Sequence, residues 1–329
     1  MTVGRFGDYS GDSNLVERGP LQWSATPKMT SIVFTFSAPF LSLAQGEAQR
    51  TGLRHFQRLA PDVLLAQFLG STEELARLWR QRPPIYVRHF FPVEFWERPR
   101  CRELQVQLRT DRPEAAQVWW QPFRPDHPTL YVLEVGKRVW AGRLLPEHQL
   151  SPWPWGVPHF VPDPDLVNRA EWKLMEAISL FGLRLGGRAL DLGASPGGWS
   201  RVLTRAGMRV TAVDPHPRGM RWEHPYLQHR PLSAQDFLAG PAGPPADLIV
   251  NDMWLHAEES AELMVQAAPR LRPGGMGILT LKLGNLSLEL ESKRGALRRS
   301  LDILRRSYRI PRLRQLFYNR NEVTAWLRR

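Results

Sequence analysis

The sequence predicts two domains, a smaller α+β domain followed by an α/β domain built on a mainly parallel sheet. Three observations carry this reading. From residue 168 onward, apolar strand-like runs alternate with helical stretches, the pattern of a sheet covered by helices on both faces. Ahead of residue 145 the chain offers several short β-like runs and one clear helix. Between the two, residues 146–167 carry proline at 146, 152, 154, 158, 162 and 164, which blocks both regular helix and central strand. A chain of 329 residues is long for a single core, which agrees with two.

Residues 1–28 are rich in glycine, serine and charge without periodicity, and are expected to be a loose tail. The α+β domain, 29–145, contains the runs SIVFTF, PIYVRHFF, ELQVQLR, TLYVLEV and RVWAGRLL. Its helix, STEELARLWRQR, opens on a Ser-Thr cap with acids following. No cluster of His, Asp, Glu or Ser at catalytic spacing occurs there, so binding or packing is the expected role. After the proline-rich linker at 146–167, the α/β domain at 168–329 reads as helix 168–181, strand 188–193, helix 198–206, strand 208–214 and strand 226–230. Then come strand 246–252, helix 257–270, strand 275–283, helix 288–306 and two final strands near 308–318 and 322–328.

Composition narrows the function classes. With 43% hydrophobic and 23% charged residues the chain is globular rather than disordered. A net charge of +12 favours a polyanionic partner, because neutralising phosphates releases condensed counterions. Residues 291–329 hold twelve Arg or Lys against three acids, either a contact surface for nucleic acid or a solvated helix face. Cys101 is the only cysteine, which excludes internal disulfides and cysteine-cluster metal sites and fits a reducing cytoplasm. No apolar run of about 18 residues exists, so no membrane span is expected. Asp8, Asp12 and Glu17 lie where a signal peptide would need its apolar core.

The motif RALDLGASPGGWSRVL runs from a buried strand through a small-residue turn into a helix. Asp191, Gly193, Ser195, Pro196, Gly197, Gly198 and Trp199 are its candidate ligand residues, the glycines letting backbone approach a nucleotide-like group. Neither the Gly-x-Gly-x-x-Gly dinucleotide fingerprint nor a phosphate loop with Gly-Lys-Ser/Thr is present. About twenty residues on, MRVTAVDP ends in Asp214, where an acid at a strand's carboxyl end can accept both hydroxyls of a ribose. Asp236, in LSAQDFL after the third strand, is placed either to meet an adenine amino group or to serve as a helix cap. Loop, ribose acid and adenine acid in this order resemble the class I (Rossmann-like) methyltransferase fold, and the resemblance implies S-adenosylmethionine as cofactor.

A second acid, Asp252, ends the fourth strand, ADLIVNDMW, and Lys282 ends the fifth, GILTLKLG. A lysine among apolar residues at the end of a central strand needs a partner, and Asp252 is the evident one. The chain has five lysines against 39 arginines, so retaining Lys points to a group that must lose its proton, which Arg does not do. Lys173, in NRAEWKLMEAISLF, is a candidate nearby cation that would lower the pKa of Lys282. The set Lys173, Asp252, Lys282 and Glu322 around the LDLGASPGGWS loop resembles the Lys-Asp-Lys-Glu tetrad of the FtsJ-like (RrmJ-type) RNA ribose 2′-O-methyltransferases. WPWGVPHF and FYNRNEVTAWLRR are similar to segments of the RlmM-type members, which modify a cytidine of 23S ribosomal RNA. The resemblance covers residues 150–329. It implies an RNA substrate, as rRNA or a pre-ribosomal particle, and a THUMP-like RNA-binding role for residues 29–145. Asn251 stands where relatives more often carry Ser or Cys, a change expected to alter packing rather than chemistry.

The chemistry expected from these residues has Lys282 taking the ribose proton, Asp252 orienting its amine, Lys173 steadying the developing alkoxide and Glu322 completing the network, with no metal needed. Trp153, Trp155, Trp199 and Trp254 are available either for stacking on an unpaired nucleotide or for packing. Two other readings remain open at this point: a methyltransferase of this fold acting on a small molecule or protein, and an inactive RNA-binding protein that keeps the fold.

Overall fold

The computed structural model describes residues 29–94, 105–110, 124–161, 163–216, 219–284 and 290–329. The expected tail at 1–28 and Cys101 lie outside the described residues. The first domain runs β1 (Met29–Thr35), α1 (Leu41–Arg50), β2 (Leu53–Ala60), β3 (Val63–Leu69), α2 (Thr72–Gln81), β4 (His89–Pro92), β5 (Gln105–Thr110), β6 (Thr129–Val135) and β7 (Arg138–Leu144). One antiparallel sheet has the order β2-β3-β1-β4, and a second the order β5-β6-β7, with β5 and β6 parallel. The two meet where β7 crosses the end of β4. A Cβ at Gly142 would lie 1.6 Å from the Pro92 carbonyl, so only glycine permits that approach.

Helix α2 begins as its sequence predicts: the Ser71 hydroxyl accepts from Glu74 N–H while the Glu74 carboxylate accepts from Ser71 N–H. Helix α1 has no such signal. It lacks a side-chain cap and contains Gly46, and its stability comes from tertiary contact. Leu43, Ala44 and Ala48 are buried, and the Glu47 carboxylate accepts three backbone N–H groups from Ile85, Tyr86 and Val87 at 2.6 to 3.2 Å. The expected linker at 146–167 carries two short 3₁₀ turns, Pro146–His148 and Pro154–Gly156. Trp155 within it is buried against His89, Phe91 and Tyr131.

The second domain follows the expected alternation: α3 (Ala170–Phe181), β8 (Arg188–Leu192), α4 (Gly198–Arg205), β9 (Arg209–Val213), β10 (Leu227–Arg230), α5 (Ala234–Ala239) and β11 (Ala246–Asn251). It closes with α6 (Ala257–Ala267), β12 (Leu271–Lys282), α7 (Leu290–Leu304), β13 (Arg309–Arg314) and β14 (Glu322–Arg328). Seven strands lie in the order β10-β9-β8-β11-β12-β14-β13, of which β10 through β12 are parallel and β14 is antiparallel to both neighbours. Leu174, Ala177, Trp199 and Leu203 of α3 and α4 pack on one face against Ala189, Val210, Leu248 and Val250. Ala261 and Met264 of α6 pack on the other with Ile249, Leu279 and Leu281. This is the α/β, Rossmann-like sheet read from the sequence, with a smaller α+β domain ahead of it. The strand order reverses between β8 and β11, so ligands are expected at the carboxyl ends of those strands.

The two domains are joined by buried polar contacts. Arg314, at the end of β13, donates to the carbonyls of Pro84, Val87 and Arg88, and Arg88 donates to Gln315 Oε1 and the Leu316 carbonyl. The basic C-terminal stretch is therefore divided in use. Arg314 and Lys293 are buried, and Arg299, Arg305 and Arg306 pair with Glu258, Asp302 and Glu262. No helix among the described residues is long and apolar enough to cross a membrane.

Candidate active site

The loop leaving β8 is set by two left-handed glycines, Gly193 at φ +73° and Gly197 at φ +106°. Gly193 and Ala194 donate to the Val213 carbonyl at 2.8 and 3.1 Å, which places the loop against the end of β9. There Asp214 accepts from Ser195 N–H at 3.1 Å and from His216 N–H at 3.0 Å, so loop and acid form one unit. Ser195 Oγ donates to the Gly219 carbonyl, and the Pro196 carbonyl accepts from Arg221 N–H.

The glycines have a reason within the protein besides the approach to a ligand read from the sequence. A Cβ at Gly193 would meet the Met253 side chain at 2.0 Å, one at Gly198 the Asn168 Oδ1 at 2.4 Å, and one at Gly197 Met220 Cε at 3.0 Å. The missing Cβ atoms make room for these protein side chains. Asp191 and Trp199 also turn their side chains inward. The Trp199 indole donates to the Ala170 carbonyl, tying α4 to α3. Asp191 is buried and accepts from Ser200 Oγ at 2.7 Å. Burial, aided by the charges of Asp252 and Asp214, pushes the Asp191 carboxyl up to about 7. Asp236 is exposed at the third residue of α5, where it exchanges hydrogen bonds with the capping Ser233. It also borders a groove between α5 and the sheet walled by Leu190, Thr211, Leu232 and Phe237.

Beside this loop the four residues predicted to act together do meet. Lys282 Nζ donates to Asp252 Oδ1 at 2.6 Å and to Glu322 Oε1 at 2.7 Å. Lys173 Nζ lies 2.9 Å from both Asp252 oxygens and 2.8 Å from Glu322 Oε2. Two ammoniums and two carboxylates alternate in a closed ring without net charge. The fold explains the convergence: Lys282 is directly opposite Glu322 across β12 and β14, Asp252 follows the end of neighbouring β11, and Lys173 projects from the first half of α3. Burial alone would lower the Lys173 pKa, but Asp252 and Glu322 together outweigh it, and the net direction is upward, so Lys173 stays charged.

Several residues of the site were not singled out from sequence. Glu176, one turn beyond Lys173 on α3, accepts from the backbone N–H groups of Phe317 and Tyr318 at 2.7 and 3.1 Å. That bond fixes the segment leading to Glu322, and Arg88 of the first domain holds the same segment from the other side. Burial pushes the Glu176 carboxyl up to about 7. Arg201 on α4 bridges Glu171 and Asp163 at 2.5 Å each, binding α4 to α3 and to the chain before it. An acid in an apolar helix at i+3 from Lys173 was the available signal for Glu176; nothing local marks Arg88. Asn251 is fully buried and accepts from Met253 N–H at 2.9 Å, which sets the turn after β11, as expected of a packing role.

Residues 166–272 match the model of the FtsJ-like methyltransferase family. Relatives named ribosomal RNA large subunit methyltransferase M include that of Pseudomonas putida (strain GB-1), 31% identical over an alignment covering 70% of this chain and 66% of that protein. The chain belongs to the FtsJ-like methyltransferase family. A second relative of the same name, from Azoarcus sp. (strain BH72), is 32% identical over 62% of this chain and 57% of its own length. The chain thus spans about two thirds of the length of the first of these relatives. For an FtsJ-like domain, the glycine loop with Asp214 is the part suited to a cofactor. Asp214 and Asp252 lie near enough to Asp191 for their charges to add to burial in raising its carboxyl.

Proposed function

We propose that the protein transfers a methyl group from S-adenosylmethionine to a ribose 2′-hydroxyl of RNA; its relatives' name points to large-subunit ribosomal RNA, and the sequence resemblance implies a cytidine of 23S RNA. The observation that carries the reading is the closed ring of Lys173, Asp252, Lys282 and Glu322 beside the glycine loop. Asp214, the 193–198 backbone and Asp236 hold the cofactor, which when bound supplies a methyl already activated by a positive sulfonium.

The chain's own residues supply alignment and a base. With the cofactor bound, the hydroxyl proton would pass to Lys282 Nζ after that ammonium, which donates to Asp252 and Glu322 in the resting ring, has released one proton to solvent. Asp252 and Glu322, at 2.6 and 2.7 Å, fix where that nitrogen points. Lys173, kept charged by its two carboxylates, steadies the alkoxide as it forms. The net charge of +12 supports an RNA partner, and the first domain, docked through Arg88 and Arg314, is suited to extend the RNA surface. A bacterial rRNA methyltransferase of this kind works in the cytoplasm.

The test is a map of ribose methylation across ribosomal RNA in cells with and without the gene. Loss of one 2′-O-methyl mark in 23S RNA, restored by the wild-type gene but not by Lys282→Arg, supports the reading. An unchanged map, with a purified protein that binds the cofactor yet methylates no RNA, rejects it.

A further inference from the structure

Among the tryptophans in and around the site, one does no packing. Trp155 and Trp199 are buried, and Trp153 stacks edge-on against Phe160. Trp254 is 88% exposed. A solitary exposed apolar side chain is ordinary on a protein surface, so exposure alone decides nothing. Position does. Trp254 follows Asp252 by two residues, at the carboxyl edge of the sheet, and its ring centroid lies 5.9 Å from Lys282 Nζ. The turn that puts it there is fixed: Asn251 accepts from Met253 N–H, Met253 fills the space over Gly193, and the next side chain is turned to solvent on the Lys282 side.

A ribose whose 2′-hydroxyl reaches Lys282 Nζ carries its base about one ring's breadth from that nitrogen. We propose that Trp254 is the stacking platform for the nucleobase of the methylated nucleotide, which enters the site unpaired. This rests on the ribose-methylation reading given above. Every base offers a π-face, so the contact positions the nucleotide without selecting its identity, and an indole has the largest face among side chains. Stacking on an aromatic ring carries no ionic component, whereas phosphate contacts do, and the two separate by salt dependence.

Wild-type protein, Trp254→Phe, Trp254→Leu and Trp254→Ala are compared in two assays. The first is methyl transfer to in vitro transcribed 23S RNA with labelled cofactor; the second is anisotropy of a fluorescent single-stranded oligocytidylate over a range of salt. Because the ring is exposed, all four proteins should fold alike, checked by their thermal unfolding. Trp254→Leu and Trp254→Ala should raise KM and the oligocytidylate Kd roughly five- to hundredfold, with kcat changed far less and the slope of log Kd against log salt unchanged. Trp254→Phe should stay within about threefold of wild type on the same stacking argument. Wild-type behaviour in Trp254→Ala, equal rescue by Leu and Phe, or an altered salt slope would each overturn the platform. Absence of methyl transfer by the wild type would instead reject the ribose-methylation reading, and the oligocytidylate assay would still decide the role of Trp254.

Discussion

Removing one charge from the Lys173–Asp252–Lys282–Glu322 ring should cost far more than removing a balanced pair. Lys173 and Glu322 are 9% and 10% exposed at the side chain, so solvent does little to screen what is left behind. Lys173→Met leaves two carboxylates sharing one ammonium, and Glu322→Gln leaves two ammoniums sharing one carboxylate. Breaking a buried pair on one side costs about 3–5 kcal/mol, most of it the uncompensated partner. In Lys173→Met/Glu322→Gln the remaining Asp252 and Lys282 still pair at 2.6 Å and the site is neutral again. The double variant should therefore lose less than either single variant, giving a coupling of at least about 3–5 kcal/mol in a double-mutant cycle. Urea unfolding at neutral pH, without cofactor, measures all four proteins. Additivity within about 0.5 kcal/mol would refute the charge-balanced ring.

Three further outcomes follow from the geometry. Asp191 has its carboxyl raised from 3.8 to about 7, so the native state holds that proton more tightly than the unfolded chain, and its stabilising effect is full below pH 4 and lost as pH rises through 7. Asp191→Asn keeps an acceptor for Ser200 and should gain on wild type by up to about 4 kcal/mol between those limits; parallel urea titrations across the range would contradict this. Gly193→Ala places a Cβ 2.0 Å from Met253 at φ +73°, and should lower stability by about 1–3 kcal/mol and weaken cofactor binding by calorimetry, whereas unchanged affinity would detach the loop from the cofactor. Arg88→Met removes the donor to Gln315 and Leu316, and should cost about 1–3 kcal/mol and slow methyl transfer without changing cofactor affinity. Unaltered transfer would mean that the 315–321 segment does not depend on the first domain.

The α/β domain was legible in sequence because its signals are local and repeated. Apolar runs such as ADLIV and GILTL, each followed by a helix, place β11 and β12 within a few residues of their observed ends. The Asp252–Lys282 pair was legible because residues at the carboxyl ends of neighbouring parallel strands lie side by side. Lys173, on a helix, and Glu322, at the start of β14, joined the set through the resemblance to the FtsJ-like tetrad; β12 and β14 do set Lys282 opposite Glu322. What stayed hidden depends on distant chain. Helix α1 has a glycine and no cap, and exists because Glu47 meets the backbone at residues 85–87. The short α5 turns Asp236 into the third residue of a capped helix, a setting that LSAQDFL alone left open. Arg314 reads in sequence as one more charge in a basic run, and only the docked first domain makes it a buried clamp. The glycines of the loop were found for the ligand they admit, while their missing Cβ atoms are matched to Met253, Asn168 and Met220.

The central claim is that Lys282 takes the proton from a ribose hydroxyl, and one comparison tests it most directly. Purified wild-type protein and Lys282→Arg are given labelled S-adenosylmethionine and unmodified 23S RNA, and the site of any methyl group is read by nuclease mapping. The account predicts a 2′-O-methyl mark from the wild type. It predicts transfer reduced by at least about a hundredfold in Lys282→Arg with cofactor affinity intact, since the guanidinium keeps the charge but does not give up its proton to become a base. Transfer at the wild-type rate by Lys282→Arg, or a methyl group on a base rather than a ribose, would contradict it.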